Sequence, residues 1–370
     1  MHNRQDTLPI QTVIIKVTNE CNLRCTYCFV ESSAPRRVRI SEAVVGRLLD
    51  QLEDYSTEST IHLVWHGGEP TLAKAPFFRR MKELQAGRSK TFKNLIQTNG
   101  TLLTDSYVSI LKELEFHIGL SLDGPSDQND KARIDKNGHG TFSKILHAME
   151  ILKRYEVPFG ILATVARHNI HDADKLYAFC KEHDVSLKLS PLYHSGQATH
   201  NYDSLAISVD EYAMFTKQLA KLWLEDEAPV KIDPIEPLLV NTLGSSIPIG
   251  CSFSNNCHHH FLGVGPTGDL YPCGLFQGFT EFRYGNILTT NLNTIVSSKV
   301  FHRMDERSQI IANKCVSCFI HENCHGGCPF HAMVNTGSLN ERTPLCRPYK
   351  ESVATIIDEM SNRLYNPQQN

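Results

Sequence analysis

Three cysteines stand close together near the start of the chain, in Cys21-Asn22-Leu23-Arg24-Cys25-Thr26-Tyr27-Cys28. This C-x3-C-x2-C spacing puts three thiolates on one loop. Such a set suits a cubane of four irons and four sulfides, whose full ligation takes four, so that one iron is left open for a substrate. A zinc site completed by a remote histidine is the alternative these residue types allow. A second set lies far downstream: Cys251, Cys257, Cys273, Cys315, Cys318, Cys324, Cys328 and Cys346, enough for two four-cysteine sites. Within it Gly268 to Cys273 reads G-x4-C, and Cys315 to Cys328 reads C-x2-C-x5-C-x3-C. Zinc ribbons use C-x2-C pairs equally well, so a zinc-bearing interaction module is the non-enzymatic reading. Cys180 shares a helix face with Leu176 and Phe179 and reads as a buried structural thiol.

The rest of the composition is ordinary. Of 370 residues 41% are hydrophobic, and 37 Lys and Arg face 40 Asp and Glu for a net charge of -3. That balance directs the chain neither to nucleic acid nor to an anionic membrane. No apolar run approaches the roughly 20 residues that span a bilayer. Met1 to Leu8 is polar, without the pattern of a signal peptide, so a cytoplasmic protein is expected. Of the 12 cysteines, the clustered ones read as metal ligands or catalytic groups, since a reducing compartment disfavours disulfides.

Short β-rich runs alternate with amphipathic segments from residue 11 to about 225. Strands are expected at 13–17, 61–65, 94–98, 116–122, 159–165 and 186–192, and helices at 76–85, 106–114, 142–155 and 172–183. From Ser41, the spacing of Val45, Leu48, Leu49 and Leu52 gives the first helix. Ser208 with Glu211 is a capping box that opens a helix to about Leu224. Six strand–helix units without a nucleotide fingerprint predict an α/β fold, a partial (β/α)6 TIM-like barrel over residues 1–228. After Pro229 the rhythm breaks. Residues 229–370 are expected to form a small, loop-rich domain with little apolar core, held by metal and closed by a helix at 351–364.

Four polar motifs then fall at the C-terminal ends of successive strands, the face where parallel βα barrels collect their active sites. The cysteine loop follows the first, His66-Gly67-Gly68-Glu69-Pro70 the second, Gln97-Thr98-Asn99-Gly100 the third and Ser121-Leu122-Asp123-Gly124-Pro125 the fourth. Gly67 and Gly68 are expected to let backbone approach a ligand that a Cβ would fend off. The whole set, with Tyr27 before the last cysteine, resembles the radical S-adenosylmethionine (SAM) superfamily, and the downstream cysteines resemble its SPASM extension.

The resemblance covers nearly the whole chain. It implies three 4Fe–4S clusters, one SAM-binding on Cys21, Cys25 and Cys28 and two auxiliary. Cys251, Cys257, Cys273 and Cys328 would hold the nearer auxiliary cluster; Cys315, Cys318, Cys324 and Cys346 would hold the farther. It implies SAM contacts at Tyr27, Gly67, Gly68, Glu69, Asn99, Ser121, Asp123, Arg133 and Leu192. In this superfamily the reduced cluster cleaves SAM to a 5′-deoxyadenosyl radical, which takes a hydrogen atom from the substrate, and SPASM members mostly act on peptides or proteins. The wording of the motifs is closest to anaerobic sulfatase-maturing enzymes, which oxidise Ser or Cys to formylglycine. Those carry a proton-accepting Asp directly after the cysteine of G-x4-C, where this chain has Gly274.

The expected activity is therefore maturation of a ribosomally made precursor peptide by a C–C, C–S or C–O crosslink. Formylglycine formation, with a nearby His or Asp269 as the base, and peptide epimerisation are the alternatives. A flavodoxin- or ferredoxin-type electron donor is implied by the family alone. Cys21 comes so early that no leader-binding domain of about 80 residues is expected before the barrel. His258-His259-His260 reads as a packing or exposed run that could instead tune a cluster, and Arg36-Arg37-Val38-Arg39 as a solvated loop.

Overall fold

A computed structural model describes residues 7–30, 38–244 and 250–365. Arg36 and Arg37 of the basic run, and the tail 366–370, lie outside the described residues. Six parallel strands form in the order expected: β1 (Thr12–Thr18), β2 (Thr60–Gly67), β3 (Thr91–Thr98), β4 (Phe116–Ser121), β5 (Phe159–Val165) and β6 (Ser186–Pro191). Each pairs with the next, and the short β7 (Ile232–Asp233) continues the series beside β6. On the other side of β1 come β8 (Phe261–Val264), β9 (Asp269–Tyr271) and β10 (Gly285–Asn286). The strand order ends at β10 and β7, so the barrel stays open.

Side chains alternate across this sheet. In β4, Phe116, Ile118 and Leu120 are buried while His117 is exposed and Gly119 and Ser121 are half-buried. In β3, Asn94 and Ile96 are buried and Leu95 and Gln97 are half-buried. One face packs under the helices and the other lines a lumen. The outer layer includes the helix Glu42–Tyr55, which buries Val44, Val45, Leu48, Leu49 and Leu52 and is capped by Ser41 Oγ. The helix Val209–Glu225 opens on the expected capping box, Ser208 Oγ accepting from Glu211 N at 3.1 Å and Glu211 accepting from Ser208 N at 2.7 Å. Cys180 is fully buried in the core, on the helix Ala173–His183.

The downstream half departs from expectation. It was expected to build little core, yet Leu262, Val264, Leu270, Ile287, Leu292 and Phe301 join the main hydrophobic core. The reason is the register of β8 on β1, which pairs Thr12 with Phe261 and Ile15 with Val264. The later residues thereby pack on the barrel's own core. A second cluster, including Tyr271, Phe276, Phe282, Met304 and Phe330, lies entirely downstream. A 16-residue helix, Lys299–Lys314, capped by Ser298, stands where loop was expected. The last helix begins earlier than expected, at Cys346, and runs along Val209–Glu225 with Ser352 Oγ 3.3 Å from Thr216 Oγ1. No helix among the described residues is long and apolar enough to cross a membrane.

Candidate active site

The loop bearing Cys21, Cys25 and Cys28 leaves β1 and is held on three sides by backbone hydrogen bonds. Glu69 N donates to Glu20 O at 2.8 Å. Arg24 N and Thr26 N donate to Ile134 O and Ala132 O, at 2.8 and 3.0 Å. Gln197 N donates to Cys28 O at 2.7 Å. The fold thus brings the three thiols together. Burial pushes Cys25 up to about 12, opposed by the Arg133 guanidinium and reinforced by Cys28 and Cys21. Burial likewise lifts Cys21 to about 12. Crowded, desolvated thiols resist ionisation, and a bound metal reverses that by taking thiolates and releasing protons.

Beside the loop, Asp123 organises a fully buried network. Its Oδ1 lies 3.1 Å from Arg133 Nε, and its Oδ2 accepts from Tyr27 Oη at 2.5 Å and meets His168 Nε2 at 3.0 Å. Burial alone would raise this carboxyl, but Arg133, His168 and Tyr27 hold it down at about 2. The Arg133 guanidinium sits 5.3 Å from the Tyr27 ring centroid, and the His168 ring stacks on Tyr27 at 5.7 Å. Asp123 therefore sets Arg133 and Tyr27 in place, its own carboxylate being enclosed. Leu192 joins Tyr27, Ala132 and Ala166 in an apolar cluster against which Cys25 packs.

The glycine motif makes a close contact within the protein. A Cβ on Gly68 would meet Glu20 O at 2.2 Å and Asn19 O at 2.8 Å, and one on Gly67, at φ 136°, would meet Thr18 O at 2.4 Å. What approaches these glycines is the backbone of the cysteine loop itself. The Glu69 carboxylate turns inward: Oε1 accepts from Thr71 N, Thr71 Oγ1 and Thr98 Oγ1, and Oε2 from Asn99 N. Asn99 reaches the loop, its Nδ2 donating to Asn22 Oδ1 at 2.9 Å and lying 3.9 Å from Cys21 Sγ. Ser121 Oγ accepts from Gln97 Nε2 at 3.0 Å. Because carbonyls face Gly68, Gly68→Ala should cost about 1–3 kcal/mol and loosen the loop. Hydrogen exchange should quicken over residues 19–28, and unchanged exchange there would refute the contact.

The downstream cysteines fall into two electrostatically coupled groups. Cys257 feels Cys273, Cys328 and Cys251; Cys324 feels Cys346, Cys318 and Cys315. Four thiols in each group match the ligand count of a four-cysteine cluster or of a four-cysteine zinc site. Two buried polar atoms beside the first loop, Thr26 Oγ1 and His168 Nδ1, have no hydrogen-bond partner in the protein, as the rim of a ligand site would leave them.

A cavity of about 610 Å³ occupies the lumen, lined among others by Gln97, His117, Gly160, Lys188, Asp233 and Glu236. Lys188 Nζ pairs with Asp233 Oδ2 at 2.6 Å and also feels Cys251, while Gln97 holds Ser121. The cavity's lining thus runs from Gln97 on β3 to Asp233 on β7 and, among the described residues, includes no cysteine. Of the bases weighed to replace the missing Asp, Asp269 is tied to Arg283 Nη2 at 2.6 Å and Asn286 Nδ2 at 3.0 Å. His258 and His259 both face Asp305, and His260 Nδ1 lies 3.1 Å from Pro9 O.

Three site residues escaped the reading of the sequence. His168 lies three residues past the end of β5, where the strand-end rule would have found it. Lys16, buried in β1, opposes the upward push that burial gives the Cys28 thiol, and its charge in an apolar strand was the available signal. Tyr193 bridges Phe29 of the first loop and Phe330 beyond Cys328, with ring centroids 6.2 and 5.4 Å away, and carried no local signal.

Comparison with known proteins agrees with this geometry. Residues 15–180 match the Radical SAM superfamily, and residues 256–319 match SPASM, an iron-sulfur cluster-binding domain. The cysteine-type anaerobic sulfatase-maturating enzyme of Clostridium perfringens (strain 13) is 32% identical over 366 residues, 93% of this chain and 95% of that protein. The serine-type enzyme of Bacteroides thetaiotaomicron is 28% identical over 390 residues, 97% of this chain and 93% of its own. A solved structure described as native anSMEcpe with bound AdoMet and Cp18Cys peptide superposes with a TM-score of 0.85 at 28% identity, covering 97% of this chain and all of that one. The chain belongs to the radical SAM superfamily: it is an enzyme of the SPASM-bearing maturase group, which works with SAM and iron–sulfur clusters.

Proposed function

We propose that this enzyme acts on a ribosomally made precursor peptide and installs a crosslink between two of its residues. The observation that carries the reading is Gly274. Formylglycine formation, by the family resemblance, uses an Asp at this position. Here a Cβ would meet Ile14 Cγ2 at 2.5 Å and Ile14 Cβ at 3.0 Å, so the place of that side chain is taken by β1. The replacements considered, Asp269 and the histidine run, are engaged elsewhere.

In this reading Cys21, Cys25 and Cys28 hold a cluster with one iron open to SAM, and Cys251, Cys257, Cys273 and Cys328, and Cys315, Cys318, Cys324 and Cys346, hold two auxiliary clusters. When bound, these groups supply the electron and the 5′-deoxyadenosyl radical that remove a hydrogen atom from the peptide. The chain's part is placement. Gly67, Gly68 and Glu69 fix the loop and offer backbone groups to the methionine end, with Asn99 beside Cys21. Arg133, Ser121, Tyr27 and Leu192, set by Asp123, flank the rest of SAM. The lumen holds an extended peptide within reach and shields the reacting carbon from water. The lumen's lining offers His117 and Glu236 as proton acceptors, Asp233 being paired with Lys188. Each crosslink removes two hydrogens, one as an atom and one as a proton and an electron. A flavodoxin or ferredoxin would reduce the first cluster, in the cytoplasm.

The second reading, formylglycine formation, is favoured by the 32% identity to a cysteine-type sulfatase-maturating enzyme. Tandem mass spectrometry of a peptide encoded beside the gene, co-expressed anaerobically, separates the two. Loss of two hydrogens with fragmentation suppressed across a short stretch is the expected result. The same loss confined to one Ser, or loss of two hydrogens with exchange of sulfur for water oxygen at one Cys, with aldehyde reactivity, would replace the crosslink by formylglycine.

A further inference from the structure

His258 and His259 lie on the short helix Cys257–His260, directly after a cysteine of the nearer group, and Asp305 lies on the helix Lys299–Lys314. Both imidazole Nε2 atoms converge on a single carboxylate oxygen, Asp305 Oδ1, at 3.0 and 2.9 Å. All three donor atoms lie within 4.8 Å of one another, and no thiol belongs to the group. His258 is enclosed, its ring packed 4.7 Å from Phe301, so one ligand is fixed. The side chains of His259 and Asp305 are 29% and 39% exposed, so the group opens to solvent.

We infer that His258, His259 and Asp305 form a separate mononuclear site for a divalent first-row cation such as Zn²⁺, outside the cysteine groups. Two imidazoles and one carboxylate are borderline donors that suit zinc and its neighbours, and nothing in the set calls for sulfide or thiolate. A cation about 2.1 Å from two atoms 3.0 Å apart sees them at about 90°, the angle of a five- or six-coordinate centre. Water from the exposed side completes the shell. Asp305 supplies one negative charge, which leaves the site a net positive one.

The consequence is mechanical. The cation ties the residue next to Cys257 to a helix whose far end runs into Cys315. One ligand set therefore fixes the spacing of the two cysteine groups, whatever reaction they serve. That independence from the reaction keeps the inference apart from the crosslink reading.

Metal analysis of the anaerobically purified full-length enzyme tests it, after equilibration with one equivalent of Zn²⁺ and desalting. Wild type should keep about one zinc per chain, and Asp305→Asn and His259→Gln at least tenfold less, with iron equal in all three. His260→Gln, which alters a ring facing Pro9, should retain zinc as wild type does. Zinc should raise the thermal midpoint of wild type and leave that of Asp305→Asn unmoved. Equal zinc in wild type and Asp305→Asn, no zinc in wild type, or zinc gained only as iron is lost would each overturn the assignment.

Discussion

Protein in which Cys21, Cys25 and Cys28 are all alanine should carry about eight irons per chain where wild type carries about twelve, and should release no 5′-deoxyadenosine from SAM. The effect is total because the three thiols share one loop and no other cysteine stands on it. The loss should also be local. The loop is anchored by backbone hydrogen bonds from Glu69, Arg24, Thr26 and Gln197, none of which depends on sulfur. The two downstream groups belong to segments packed on the main core and on the second cluster, neither of which includes the three thiols. Iron analysis and a SAM-cleavage assay on the same sample read both halves of the prediction. Surviving cleavage would sink the assignment of the loop, and loss of all iron would show that the three groups fill together.

Asp123→Asn should cost about 3–5 kcal/mol in denaturant unfolding, because it leaves the buried Arg133 guanidinium without its anion. It should also cripple SAM cleavage, since Tyr27 and Arg133 both take their positions from this carboxylate. The pH dependence follows from the sign of the shift. Asp123 is held at about 2, below its unfolded value of about 3.9, so its contribution is complete above the unfolded value and disappears as pH falls through 2. The gap between wild type and variant should be constant near neutrality and narrow below pH 4. A cost under about 1 kcal/mol at neutral pH would mean that the pair contributes no more than a surface ion pair.

Much of this arrangement was legible before any coordinates. Strand β5 lies at 159–165 as read, and the Ser208–Glu211 box opens its helix as read, because both rest on local spacing. The helix Lys299–Lys314 was missed although Ser298 announced it, since its apolar residues Val300, Phe301, Met304 and Ile311 are diluted by charge. The pairing of β8 with β1 had no local signal at all, for a sheet contact between distant segments leaves no mark on either. Gly68 shows a subtler limit. A glycine reports that something comes close, and sequence does not say what; here it is Glu20 O.

The seam between β1 and β8 also has a history in time. Thr18 ends β1 and Phe261 opens β8, so 242 residues separate a strand from its outer neighbour. At about 5–20 residues per second, a ribosome takes roughly 12–50 s to deliver that neighbour. During that interval the first strand of the chain shows an open row of hydrogen-bonding groups, the kind of edge on which nascent chains stick to one another. Synthesis of this protein thus places its most vulnerable edge at the beginning and the cover for it near the end, which makes β1 the segment for a chaperone to shield.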